Sequence, residues 1–183
     1  KTTTITSSKI PWSYRIVCSM LAIFLNVFAS NAQSTYYVND NDQTGDVYTS
    51  AAGNDGNSGG PSDPFLTIGK ALTVAVANDI IKVDVGTYNE KVTLTYSVDL
   101  RGAKYGIDAR TRTKSDESVL DGTSATGTGY DAISIADGVS GVSIDGFEIK
   151  NYSGSGANGD GNAISSYCMI PGGSGASNVK ILN

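Results

Sequence analysis

Carboxylates and basic side chains carry most of the chemistry this chain could do, and histidine carries none, because the sequence contains no histidine. A serine triad, a histidine-ligated zinc and an HExxH site are therefore excluded. Asp121, Asp131, Asp137 and Asp145 are the candidates for paired-carboxylate work on a glycosidic bond. Such work needs two carboxyls roughly 5–9 Å apart, and spacing along the chain does not set their register. Arg101, Lys104, Arg110 and Arg112 gather after an apolar run. A lyase uses a basic side chain to take the proton next to a sugar carboxylate. Balancing neighbouring acids is the commoner duty of such a group. Asp40-x-Asp42-x-Thr44-Gly45 has the start of a calcium loop, but the twelfth position is Ala51 rather than Glu, which excludes an EF-hand. Asp55 with Asn54 and Asn57 could offer oxygens to calcium; closing Asx turns is the ordinary role of these residues. Calcium is the one cofactor the sequence admits, and nothing requires it. No position is assigned as catalytic or metal-binding from these residues alone.

Residues 9–32 have the build of a secretory signal peptide. Lys9 and Arg15 form the positive flank, Ile16–Phe28 is the apolar stretch, and Ser30 and Ala32 are the small residues a signal peptidase reads. The apolar stretch is short of the ~20 residues that span a bilayer. The expectation is export to the cell surface or medium, with cleavage between Ala32 and Gln33 and no membrane span afterwards. Cys18 lies too early to be a lipoprotein cysteine at that junction. Export would leave Cys168 as the single cysteine, unable to form an internal disulfide and expected as a small buried apolar residue. Residues 33–183 then hold 10 basic and 18 acidic side chains, a net charge of −8. That charge disfavours nucleic acid and anionic membranes. It also repels polyanionic sugars unless a divalent cation bridges them.

The elements that must position these groups are mostly strands. Gly is abundant, at 22 residues, without the triplet period of collagen. Short apolar runs recur between Gly-, Asn- and Asp-rich turns, and many alternate: Ile133-Ser134-Ile135, Val142-Ser143-Ile144, Phe147-Glu148-Ile149. Period 2 marks strands with one buried face. Tyr36–Val38 and Val47-Tyr48 read as short strands before the first of these runs. One amphipathic helix is expected after Asp63, with Asp63 or Thr67 as N-cap and Pro64 in the first turn. Its apolar face would carry Ile68, Ala71, Leu72, Ala75 and Val76, and Asn78-Asp79 would end it. Hairpin signals are missing: the one Asn-Gly, Asn158-Gly159, falls in a long loop. A stack of strands fits better than a sandwich.

Gly53-Asn54-Asp55-Gly56-Asn57-Ser58-Gly59, then Pro64–Ile68 with Lys70-Ala71-Leu72, then Asp79-Ile80-Ile81 and Gly86-Thr87-Tyr88, resembles the N-terminal part of pectate-lyase-like β-helix proteins. Val142–Asn151 is similar to the coil signature of that superfamily: a strand, a Gly turn, an aromatic, a second strand, and an Asn whose amide can stack along the axis. The resemblance implies an all-β, right-handed parallel β-helix with a short N-terminal capping helix, and extracellular work on or binding to polysaccharide. Polysaccharide lyase-like activity is the leading reading, and a non-catalytic adhesin or stalk is the alternative, because one scaffold carries both. No residue matches a lyase's catalytic motif. The expected organisation is a signal peptide with an upstream extension at 1–32 and a loop and short-strand segment at 33–63. The capping helix and first coils follow at 64–183. The chain begins with Lys and stops inside a strand-like pattern, Val179–Asn183, so it reads as a piece of a longer protein.

Overall fold

The computed structural model describes residues 32–126, 131–153, 162–166 and 175–182. The chain divides into two units, Lys1–Ala32 and Gln33–Asn183. The apolar stretch of the predicted signal peptide, Cys168 and the Asn158-Gly159 loop lie outside the described residues.

Eleven strands are present among the described residues: β1 (Thr35–Val38), β2 (Asp79–Val83), β3 (Gly86–Tyr88), β4 (Val92–Leu94), β5 (Val98–Arg101), β6 (Ser118–Asp121), β7 (Ile133–Ile135), β8 (Ser143–Asp145), β9 (Phe147–Lys150), β10 (Ile164–Ser166) and β11 (Lys180–Ile181). They form three sheets. One has five strands in the order β1-β2-β5-β8-β11, and the others are β4-β7-β10 and β3-β6-β9. Every strand pairing is parallel. From β2 onward the chain visits the sheets in fixed rotation, each strand pairing with the one laid down a rotation earlier. This mostly-β, all-parallel arrangement is consistent with a β-helix.

Alternation explains which residues turn inward. In β2, Ile81 and Val83 are buried and Ile80 and Lys82 are half-exposed; β5 and β7 repeat the pattern. Parallel register then stacks like on like: Tyr36, Ile81, Leu100 and Ile144 align across four strands of the large sheet. Val92 aligns with Ile133, and Leu94 with Ile135, in a second sheet. Fully burying one such side chain contributes about 1.5–3 kcal/mol. At one corner the chain turns from β8 to β9 through Gly146 alone, at φ +84. A Cβ there would stand 2.3 Å from the Tyr105 nitrogen, so only glycine fits.

The predicted helix exists but is shorter: α1 spans Ile68–Val74 and packs against β1, β2 and β4. Thr67 is its N-cap, accepting from the Lys70 N–H at 3.0 Å. Glu90 accepts from the Ile68 and Gly69 N–H groups at 2.9 and 2.8 Å, so three of the first turn's free donors have partners. Asp63 is not the cap, and Pro64 lies outside the helix. The reason is Phe65, which runs beside β1. Its N–H donates to the Tyr37 carbonyl at 2.9 Å and its ring is buried, so residues 64–66 do not join the helix. The helix also ends early. Ala75 is its extended C-cap, and Val76, expected on the buried face, is 57% exposed. Asp79 draws the chain away by accepting from the Val76 and Ser34 N–H groups.

Val47-Tyr48 is not a strand. Its backbone serves Asp84, a fully buried residue just after β2. Asp84 accepts from the Val47, Tyr48 and Thr49 N–H groups at 2.7, 2.9 and 2.7 Å, and from the Thr49 hydroxyl at 2.9 Å. A buried carboxylate is tolerable only when so engaged.

Candidate functional site

The outward positions of the large sheet form two rows. In one, Tyr37, Lys82, Arg101 and Asp145 are register partners on β1, β2, β5 and β8. In the other, Ile80, Asp99 and Ser143 align, with Lys180 beyond them. Two loops bring aromatic rings onto this face. The loop held by Asp84 delivers Tyr48, whose hydroxyl donates to the Gly102 carbonyl at 2.9 Å. The long loop after β5 delivers Tyr105.

The rings take up the two cations. The Lys82 Nζ lies 5.5 Å from the Tyr37 centroid and 5.1 Å from that of Tyr48. The Arg101 guanidinium sits 4.4 Å from the Tyr105 centroid. These distances are in cation–π range. Arg101 also pairs with Asp99, Nη2 to Oδ2 at 2.5 Å, while Asp99 Oδ1 is buried without a partner. Burial pushes the Tyr48 phenol up and the Asp84 charge adds to it, so Tyr48 stays a neutral hydroxyl at physiological pH. Asp145 is covered by the Tyr105 loop and accepts from the Gly106 N–H at 2.9 Å. Beside it, Gly106, Ile107, Asp108, Asp145 and Leu182 line a pocket of about 260 Å³.

Aromatic rings, two cations and a shallow pocket beside one sheet are groups that suit a polyhydroxylated ring: apolar stacking on its C–H face and polar partners at its rim. Asp99 and Asp145 sit two residues apart on adjacent strands, which sets their Cα atoms at roughly 8 Å. Each is already engaged, Asp99 by Arg101 and Asp145 by a backbone N–H, so the arrangement is better built for recognition than for proton transfer.

Only Asp145 of the four candidate aspartates reaches this face. Asp121 ends β6 in another sheet and accepts from the Thr123 N–H, the Thr123 hydroxyl and the Asn151 amide at 2.9, 2.7 and 3.0 Å. Those bonds, the backbone one foremost, hold it down to about 2. Asp131 precedes β7 and accepts from Asn162 and Ser165, and Asp137 follows β7 and accepts from the Gly175 N–H. The basic group also disperses. Arg101 is in the site, Arg110 pairs with Asp108 at 2.7 Å on the surface, and Arg112 pairs with buried Glu117 at 3.4 Å. Lys104 lies in the loop after β5. Asp40 and Asp42 close Asx turns onto Asp42 and Thr44, and Asn54 does so onto Gly56. Asp55 braces the approach to α1 through the Leu66 and Thr67 N–H groups, and Asn57 donates to the Pro64 carbonyl. Among the described residues no three acidic, histidine or cysteine side chains converge to hold a metal. None of their helices is long and apolar enough to cross a membrane.

Lys82, Asp99, Tyr48 and Tyr105 escaped the sequence reading. The first two were accessible in part, since Lys82 and Asp99 interrupt apolar runs at outward parity. Tyr48 carried no local signal.

Residues 51–170 match the family described as protein of unknown function (DUF1565). The chain belongs to this family. It is a β-helix-like domain family, in keeping with the parallel sheets. The match contains Lys82, Asp99, Arg101, Tyr105 and Asp145, and leaves out Tyr37 and Tyr48. No curated protein and no solved structure matches the chain.

Proposed function

We propose that this chain is the N-terminal part of a secreted, right-handed parallel β-helix protein with a pectate-lyase-like scaffold, and that it binds polysaccharide on the outer face of its five-stranded sheet. The observation that carries the reading is the row Tyr37–Lys82–Arg101–Asp145 with Tyr48 and Tyr105 folded onto it. Handedness follows the general rule that parallel crossovers are right-handed. In this reading α1 caps the first rotation. Export is supported by the signal-like segment and by the unit boundary at Ala32 and Gln33, the junction expected for cleavage. The net charge of −8 on residues 33–183 favours neutral glycans over polyanions.

Lyase-like turnover is one version of this reading, and a non-catalytic adhesin or stalk is the other. The engaged state of Asp99 and Asp145 favours binding without turnover. Trp12, the single tryptophan of these 183 residues, precedes the cleavage junction, so a protein of residues 33–183 reports through tyrosine fluorescence. Titration with a panel of neutral and uronate oligosaccharides tests the proposal. Saturable quenching by a neutral glycan, lost in Tyr105→Ala, is the expected result. No response across the panel sinks the binding reading, and an unsaturated product from any uronate restores the lyase one. Sequencing the N-terminus of the secreted protein tests export: an intact N-terminus retained in the membrane refutes it.

A further inference from the structure

Asn39, just after β1, is fully buried, and Asp46 lies against it. Asn39 Nδ2 donates to Asp46 Oδ2 at 2.7 Å and to the Ala51 carbonyl at 2.9 Å. Those two bonds fix the amide's orientation, because turned over its oxygen would face two acceptors. Asn39 Oδ1 is then buried without a donor. Asp46 is half-buried as a residue, but its Oδ1 is shut off from solvent and equally without a partner. The two orphaned oxygens belong to groups already joined by a hydrogen bond. A proton on the Asp46 carboxyl would turn one orphaned acceptor into a donor, and Asn39 Oδ1, on the group it is already bonded to, is an acceptor in need of one.

The surroundings press the same way. Asp84 and Asp40 place negative charge near Asp46. Asp116 approaches the loop at Gly45, its Oδ1 3.1 Å from where a Cβ would stand. Buried Tyr88 shares Asp40, Asp84 and Asp46 as neighbours, and the Thr49 hydroxyl contacts Asp46 Oδ2 at 3.4 Å. Among the described residues no lysine or arginine pairs with Asp40, Asp46 or Asp84. Burial, with the Asp84 charge behind it, pushes the Asp46 carboxyl up. Calcium would ask for six or more oxygens, and no group of three acidic, histidine or cysteine side chains among the described residues is placed to hold a metal.

We propose that Asp46 is a neutral acid in the folded chain, hydrogen-bonded to Asn39, and that its ionisation loosens the loop that holds Tyr48 on the sheet face. Regulation of glycan binding by this step rests on the site reading above; the acid itself does not. An acid raised on folding stabilises fully below the ordinary aspartate range, and that stability is lost as pH rises through its folded-state value.

Carbon-13 NMR of the aspartate carboxyls in the exported chain follows the titration with no ligand present. Asp46 should ionise above the ordinary aspartate range. Protection of the Val47–Thr49 amides from hydrogen exchange should fall through that same interval. Asp46→Asn keeps a donor for Asn39 Oδ1 and has no proton to lose, so its protection should be pH-independent. Asp46→Ala should lose protection at every pH. An Asp46 carbon that titrates at or below the ordinary range overturns the proposal, as does calcium that protects the loop while moving that carbon. A glycan that binds at no pH refutes the site reading and leaves the carboxyl result standing.

Discussion

Two stretches of this molecule are built from the same residue types and use them differently. At the corner after β3, β6 and β9, polar side chains spend their hydrogen bonds on one another. Asn89 donates to the Asp121 carbonyl at 3.0 Å, Asn151 donates to the Asp121 carboxylate at 3.0 Å, and Lys150 stands 3.8 Å from that carboxylate. On the outer face of the five-stranded sheet, Asp99 keeps an unpartnered oxygen, and Lys82 forms no ion pair with a described residue, lying between two tyrosine rings instead. The corner is architecture whose polar capacity is used up by the turn. The sheet face turns its charges toward aromatic rings, and the Tyr105 ring there stays exposed. Open ring area of this kind has something to offer a ligand, whereas a satisfied polar group gains little from a new partner.

Asp84 anchors the loop that carries Tyr48 onto the sheet face. Asp84→Ala strips the acceptor from four backbone N–H groups, those of Val47, Tyr48, Thr49 and Val85, and should cost about 3 kcal/mol or more. It should also abolish glycan binding as Tyr48 is released. Thermal melts and fluorescence titration read both effects, and a loop that keeps its amide protection would remove Asp84 from this role. Arg101→Ala comes next. It unseats Tyr105 and leaves Asp99 without its ion-pair partner, with an expected loss of about 2 kcal/mol for a largely buried pair and roughly tenfold in affinity, or about 1.4 kcal/mol. Tyr105→Ala separates the two roles. Tyr105 is 41% exposed, so melting should shift by no more than about 0.5 kcal/mol while affinity still drops. At the corner, Asp121→Asn should leave affinity untouched and alter only the acid limb of stability. The Asp121 value of about 2 lies below the ordinary range, so its contribution is present at neutral pH and lost as pH falls toward 2. A melting profile below pH 4 (approximately the ordinary aspartate value) that is the same in both proteins would contradict this. Asp121→Asn lowering glycan affinity would erase the distinction between the two regions altogether.

The strands were legible because alternation is a local property: Ile133-Ser134-Ile135 reads as a strand and is β7, buried at both ends. Inward and outward parity came with it. Register did not. Whether Arg101 faces Asp145 or Asp137 depends on how many residues the intervening turns absorb, and turn residues such as Asn and Gly accept many paths. The four aspartates were therefore visible as candidates and not separable. The helix was misplaced for a related reason. Pro64 is a good first-turn residue, but Phe65 gains more by lying in the core beside β1, and tertiary burial overrode the local signal. Tyr48 was beyond reach because Asp84, far along the chain, selects its loop by gathering backbone N–H groups that any residue possesses.

One corner of the fold has a consequence for how such a protein changes over time. The turn from the five-stranded sheet to the β3-β6-β9 sheet takes two residues after β2 (84–85), sixteen after β5 (102–117) and a single one, Gly146, after β8. The strands on either side keep their parallel pairing through all three passages. Chain length at this corner is thus uncoupled from the pairing it connects. Insertion there changes what hangs over the sheet without disturbing the sheet, and the sixteen-residue passage brings Tyr105, Gly106 and Asp108. A lineage could exchange that overhang, and with it the ligand, as one cassette, while the glycine passage next door holds the scaffold constant.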